Sequence, residues 1–168
     1  MLQLRSLSVA VLLLLGGLAL PALGQSADDL ASHPGYVDLR EADTWFDTEA
    51  TLQVDLRGTL LDLVAQTSSA ADTSFSGMVR GLKAIQVRGY PMAGMNADVI
   101  RERTDRLAAA LEDQGWERVF YAREGAEVAR VYLRPDATDG NGRRIAGLAV
   151  LAVDPSDEAV LVNVVGSM

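Results

Sequence analysis

Residues 116–166 read WERVFYAREGAEVARVYLRPDATDGNGRRIAGLAVLAVDPSDEAVLVNVVG, and their pattern decides the fold. Four apolar runs, Trp116–Arg123, Glu127–Arg134, Arg144–Val153 and Glu158–Val165, alternate with turn-rich spacers. Successive runs of this kind predict an antiparallel meander of four strands. Glu124-Gly125 supplies a hairpin turn, Asp136–Gly142 a wide polar loop, and Asp154-Pro155-Ser156-Asp157 a second turn. In the second run Ala129, Val131 and Leu133 share one face, while Val128, Arg130, Tyr132 and Arg134 share the other. The last two runs are apolar on both faces, which places them at the centre of the sheet. Asn163 is the polar interruption there, and a buried amide needs hydrogen-bond partners.

Upstream segments must extend this sheet or cover it. Leu52, Val54 and Leu56 alternate with polar residues and predict a strand over 51–56. Gly58 and Thr59 open a helix with Leu60, Leu61, Val64 and Ala65 on one stripe, and Asp72–Leu82 fits a second short helix. Lys83–Arg88 reads as a strand with Ile85 and Val87 inward, closed by Gly89-Tyr90-Pro91. Asn96–Gln114 is the clearest helix. Ile100, Thr104, Leu107, Ala108 and Leu111 form its buried stripe, Arg101/Asp105 and Glu102/Arg106 its outer ion pairs, and Gly115 its stop signal. The expected class is α+β: a single mixed or largely antiparallel sheet of about six strands, with helices packed on one face. Arg130 and Arg134 are expected to mark a more open sheet face, crossed in part by an N-terminal arm.

Residues 1–24 have the layout of a signal peptide, with Arg5 before an apolar Leu7–Leu20 core and small residues Ala22 and Gly24 near a cleavage point. A periplasmic or secreted mature chain starting at Gln25 is the expectation, with no stable membrane insertion after cleavage. Residues 25–50 form an N-terminal arm and edge element belonging to the same domain as 51–168. Within it Tyr36–Arg40 predicts a short edge strand or an extended arm after the Pro34-Gly35 turn. Trp45 and Phe46 lie in an acidic stretch, either as buried pins or as an exposed docking knob.

The chain has 168 residues and a formal net charge of -8, which disfavours nucleic acid as a partner. It has no cysteine and one histidine, His33, so disulfides, thiol chemistry and a His- or Cys-based zinc site are excluded by count. No nucleophile motif, cofactor motif or phosphate-cradling loop is present, and no catalytic, cofactor-binding or metal residues are assigned. The Asp136–Gly142 loop departs from a calcium-loop pattern at its third position and lacks the closing glutamate. Arg88, Arg118, Arg130 and Arg134 form a candidate basic stripe, with Glu117 and Glu127 as expected cross-strand partners.

Taken together, HPGYVDL, VDLRGTLLDLVA, GLKAIQVRGY, LEDQGWERV, VYLRP and IAGLAVLAVDPSDEAVLVNVVG resemble the bacterial family known as domain of unknown function 4252, from His33 to Gly166. The resemblance implies an exported single domain and hands over no catalytic residues. It also implies a short acidic, proline-containing tail beyond the VNVVG segment, so the chain is expected to be trimmed or degenerate there. The leading expectation is a non-enzymatic binding or accessory protein with an envelope partner. Trp45, Phe46, Arg130, Arg134 and Asn163 are its candidate binding residues. The alternatives are a carboxylate-dependent hydrolase and a structural or oligomer-forming protein.

Overall fold

The computed structural model describes residues 27–68, 81–137 and 144–168, with side chains described from Asp29 to Leu63 in the first of these. The signal-peptide segment, the second short helix over 72–82 up to residue 80, and most of the Asp136–Gly142 loop lie outside the described residues.

In chain order the elements are α1 (Ala27–Ala31), a 3-10 helix (Leu39–Thr44), β1 (Leu52–Arg57), α2 (Thr59–Ser68), β2 (Leu82–Pro91), α3 (Ala97–Asp113), β3 (Glu117–Glu124), β4 (Glu127–Pro135), β5 (Ile145–Val153) and β6 (Glu158–Gly166). The strands form one six-stranded sheet in the order β1-β2-β6-β5-β4-β3. Every neighbouring pair is antiparallel. The predicted four-strand meander is β3 to β6, and its last two strands are the central pair. After β2 the chain crosses by way of α3 to the far edge, then returns strand by strand until β6 pairs with β2.

Local chemistry explains the helix that makes this crossing. Asn96 caps α3, its side-chain oxygen accepting from the backbone N–H groups of Asp98 and Val99. Gly115, at φ +84°, ends it. Gly115 N–H donates to the Glu112 carbonyl and Trp116 N–H to the Leu111 carbonyl, the two bonds of a Schellman turn. Ile100, Thr104, Ala108 and Leu111 are the buried stripe, and Leu107 packs at its margin. Only one of the expected outer pairs forms. Glu102 pairs with Arg106, but Arg101 turns back to Asp98 and Asp105 is taken by Arg130 of β4.

The covered face of the sheet follows from register. Ala84, Gln86, Arg88 and Tyr90 of β2 stand opposite Val165, Asn163, Leu161 and Ala159 of β6. Those residues pair in turn with Gly147, Ala149, Leu151 and Val153 of β5, and β4 adds Arg134, Tyr132, Arg130 and Val128. α3 lies over the β4–β5 side of this surface, and the 3-10 helix with the arm lies over the β6–β2 side. The main core, including Phe46, Tyr90, Ile100, Leu111, Trp116, Tyr132 and Leu161, is sandwiched there.

This arrangement corrects the expected assignment of faces. Arg130 and Arg134 project from the helix-covered face, whereas Ile85 and Val87 project from the opposite one. The side chain of Arg130 is only 11% exposed because Asp105 neutralises it from above. The edge-strand alternative for Tyr36–Arg40 is likewise replaced. Residues 36–38 are extended, and Leu39 begins the 3-10 helix, whose first turn is capped by Asp38. In α2, Leu61 is buried but Leu60 and Leu63 are exposed, so Leu60 leaves the expected stripe; its other members, Val64 and Ala65, lie outside the described side chains.

Candidate functional site

Asn163 sits at the junction of sheet and arm. Its Oδ1 accepts from Val37 N–H at 2.9 Å, and its Nδ2 donates to the carbonyls of Gly35 at 3.0 Å and Leu148 at 3.2 Å. One amide thus reads both backbone groups flanking Tyr36 and ties the arm to β6 and β5. Close contact assists it. A Cβ on Gly35 would stand 1.9 Å from the Ala146 carbonyl oxygen, and one on Gly147 would stand 2.6 Å from Gly35 Cα. The arm and β5 therefore meet backbone to backbone, with Trp116 beside them. His33 accepts from Gly35 N–H through Nδ1 and so shapes the turn entering this contact. Burial, then Lys83, holds its pKa below the usual imidazole range, which keeps that acceptor neutral.

Next to Asn163 the covered face carries a polar row on β2. Arg88 is 4% exposed and ion-pairs with Asp55 at 2.9 Å, while donating to the Val87 and Val54 carbonyls. Tyr90 donates its hydroxyl proton to Asp43 and stacks on Phe46, with ring centroids 3.9 Å apart. Burial, then the Asp43 carboxylate, pushes the Tyr90 pKa well above the usual phenol range. Phe46 is therefore a buried pin rather than part of an exposed aromatic pair. Trp45 packs at the core margin and lines a surface recess of about 260 Å³ with Glu41, Arg103, Arg106, Leu107 and Ala110.

The structure does not bring Trp45, Phe46, Arg130, Arg134 and Asn163 together in one cleft. Arg134 donates to the Gly115 carbonyl and steadies the end of α3. The expected partners Glu117 and Glu127 do not meet the strand arginines, because they lie on the other face. Arg88 is held by Asp55, Arg118 by Glu112 at 3.6 Å, and Arg130 by Asp105. Glu112 also accepts from Tyr132, whose pKa burial raises. The recess at Trp45 contains a single carboxylate, Glu41. A second, enclosed cavity of about 10 Å³ beneath Arg101, Thr104 and Arg130 has no carboxylate and room for about one water. Neither supplies the paired carboxylates that acid-assisted hydrolysis needs. Among the described residues no three His, Asp or Glu side chains stand together as metal ligands.

The surface that sequence reasoning missed is the other side of the sheet. β6 presents Val160, Val162 and Val164 there, β5 Leu148, Val150 and Ala152, and β4 Ala129, Val131 and Leu133. These nine side chains are partly exposed, in alternation with the buried residues of the covered face. α2 packs against β1 and β2. β3 continues the surface with Phe120, which is exposed, as are Val119 and Tyr121. A signal for this face was present in the sequence, as the unbroken apolar phase of the three runs. Its exposure was not.

A comparison with family profiles matches residues 45–168 to the family described as "Domain of unknown function (DUF4252)". The match starts at Trp45, downstream of the His33–Val37 arm. No curated protein matches the chain, and no solved structure matches it.

Proposed function

The chain belongs to the DUF4252 family, an uncharacterised domain, and we propose that it is a non-enzymatic binding or accessory protein that works through the uncovered face of its sheet. One observation carries this reading: the more polar face of β4–β6 and β2 is buried under helices, while the nine apolar side chains on the other face of β4–β6 are left half open. Folding alone favours the reverse, since each partly exposed valine or leucine forgoes about 25 cal/mol for every Å² left in water. A contiguous apolar surface retained against that cost marks an interaction site. The inward-facing arginines Arg88, Arg130 and Arg134 are occupied by structural partners, which supports binding over catalysis.

We place the mature protein in the periplasm or outside the cell, on the strength of Arg5, the Leu7–Leu20 run and the small residues before Gln25. A photo-crosslinking amino acid at Val150, in the middle of the open face, tests the binding reading in cells of the source organism. A discrete crosslinked protein is expected from Val150 and none from Ala109 on the outer side of α3. Absence of any Val150 product, or equal products from both positions, overturns it.

A further inference from the structure

We propose that the open face receives a basic amphipathic helix of a partner protein, an apolar stripe flanked by lysine and arginine. The proposal rests on the binding reading above and names the chemistry of the occupant.

Shape comes first. β4, β5 and β6 are nine residues each, so they run about 30 Å, and their two interstrand gaps add about 10 Å of width. That is the footprint of one helix, about 10 Å across and about 27 Å long for 18 residues. An apolar sheet face is completed by a layer packed on it, and a helix with an apolar stripe is such a layer.

Charge selects the kind of helix. No charged side chain lies in register between Val160 and Val164, Leu148 and Ala152, or Ala129 and Leu133 on this face. Among the described residues, four glutamates stand at its margins. Glu117 and Glu124 border it on β3, and Glu127 and Glu158 close the end formed by the strand turns. The arginines of the strands, Arg57, Arg88, Arg118, Arg123, Arg130 and Arg134, register with residues of the opposite face. The one lysine of the chain, Lys83, sits at the β2 bulge, at the far end from Glu158. A second copy would bring an acidic margin against an acidic margin, and an anionic bilayer would do the same to a chain of net charge -8. A basic margin on an apolar stripe satisfies both parts of the surface.

Two synthetic helices of about 18 residues test this, one with a leucine stripe flanked by lysines and one with the same stripe flanked by glutamates. Binding of each labelled peptide to the mature protein is read by fluorescence anisotropy at low and high salt. The lysine peptide is expected to bind at least about tenfold tighter than the glutamate peptide, with the gap closing as salt rises. The variant Glu117→Lys/Glu124→Lys/Glu158→Lys leaves the apolar residues in place and is expected to reverse the preference. Its fold is checked by circular dichroism and its urea midpoint. A second variant, Val150→Gln, is expected to weaken the lysine peptide by about tenfold through the apolar contact. Equal binding of the two peptides, no binding of either, or no response to charge reversal overturns the proposal. So does sedimentation showing a dimer that Val150→Gln dissociates. A Val150 crosslink to a partner whose contact segment lacks basic flanks also overturns it while leaving the binding reading intact; loss of every crosslink sinks both.

Discussion

Asn163 and Gln86 face each other across the β2–β6 pair, both are 0% exposed, and their amides have opposite circumstances. Asn163 makes three hydrogen bonds, two of them to the arm. Neither Nε2 nor Oε1 of Gln86 has a partner. A buried polar group without a partner costs free energy, whereas an apolar side chain of similar shape does not. The two positions should therefore respond with opposite signs. Asn163→Ala leaves Val37 N–H and Gly35 C=O without their partner and is expected to lower stability by about 2–3 kcal/mol in urea unfolding. Gln86→Met keeps length and removes the orphaned amide, and is expected to be neutral or to raise stability by about 1 kcal/mol. A stabilising Asn163→Ala, or a Gln86→Met loss as large as that of Asn163→Ala, contradicts these assignments. The sequence flagged Asn163 because it breaks an apolar run. It gave no comparable warning for Gln86, since Gln86 alternates with Ile85 and Val87 as a solvent-facing residue would.

Among the elements, the arm is the one whose attachment depends on absence of side chain. A methyl group at residue 35 would stand only 1.9 Å from the Ala146 carbonyl oxygen, so Gly35→Ala must push the arm off β5. The expected cost is about 1–3 kcal/mol, with the Val37 amide losing hydrogen-exchange protection while the α3 amides keep theirs. Undiminished protection at Val37 would show that the arm is not seated through this contact. α3, by contrast, was legible to within a residue. Its periodicity, its Asn96 cap and its Gly115 stop are all written within one continuous segment. The strands were legible as strands for the same reason. Which face of each strand is covered was not, because period-two alternation defines two faces and names neither. The answer lies in distant partners: Arg130 turns under α3 because Asp105 is there to meet it, and Arg88 turns inward because Asp55 and Asp43 flank it. Sequence reasoning placed arginines toward water, and the long-range ion pairs reversed that. The candidate site inverted with it, so the exposed apolar surface is the face of Val160, Val162 and Val164 rather than the arginine-bearing side.

Across the whole molecule, two buried tyrosines set the alkaline limit. Tyr90 and Tyr132 both have pKa values raised in the folded state, first by burial and then by a neighbouring carboxylate. A free tyrosine ionises near pH 10. Below that value both states are neutral and the stability is fully present; above it the unfolded chain ionises first and stability falls. Urea midpoints are expected to be flat from pH 8 to about 9.5 and to drop beyond about pH 10. Tyr90→Phe should make that drop shallower, even if it starts from a lower midpoint through loss of the Asp43 hydrogen bond. An unchanged slope would remove Tyr90 from the account. The sheet order carries a separate consequence. β6 comes after every other described strand, yet β2 pairs with it and the arm is fastened by its Asn163. A polypeptide emerging N-terminus first, from a ribosome or through a narrow channel, can pair β1 with β2, but the other edge of β2 and the arm wait until β6 is free. The β1–β2 pair and the β3–β4–β5 meander become one sheet only when β6 enters between them.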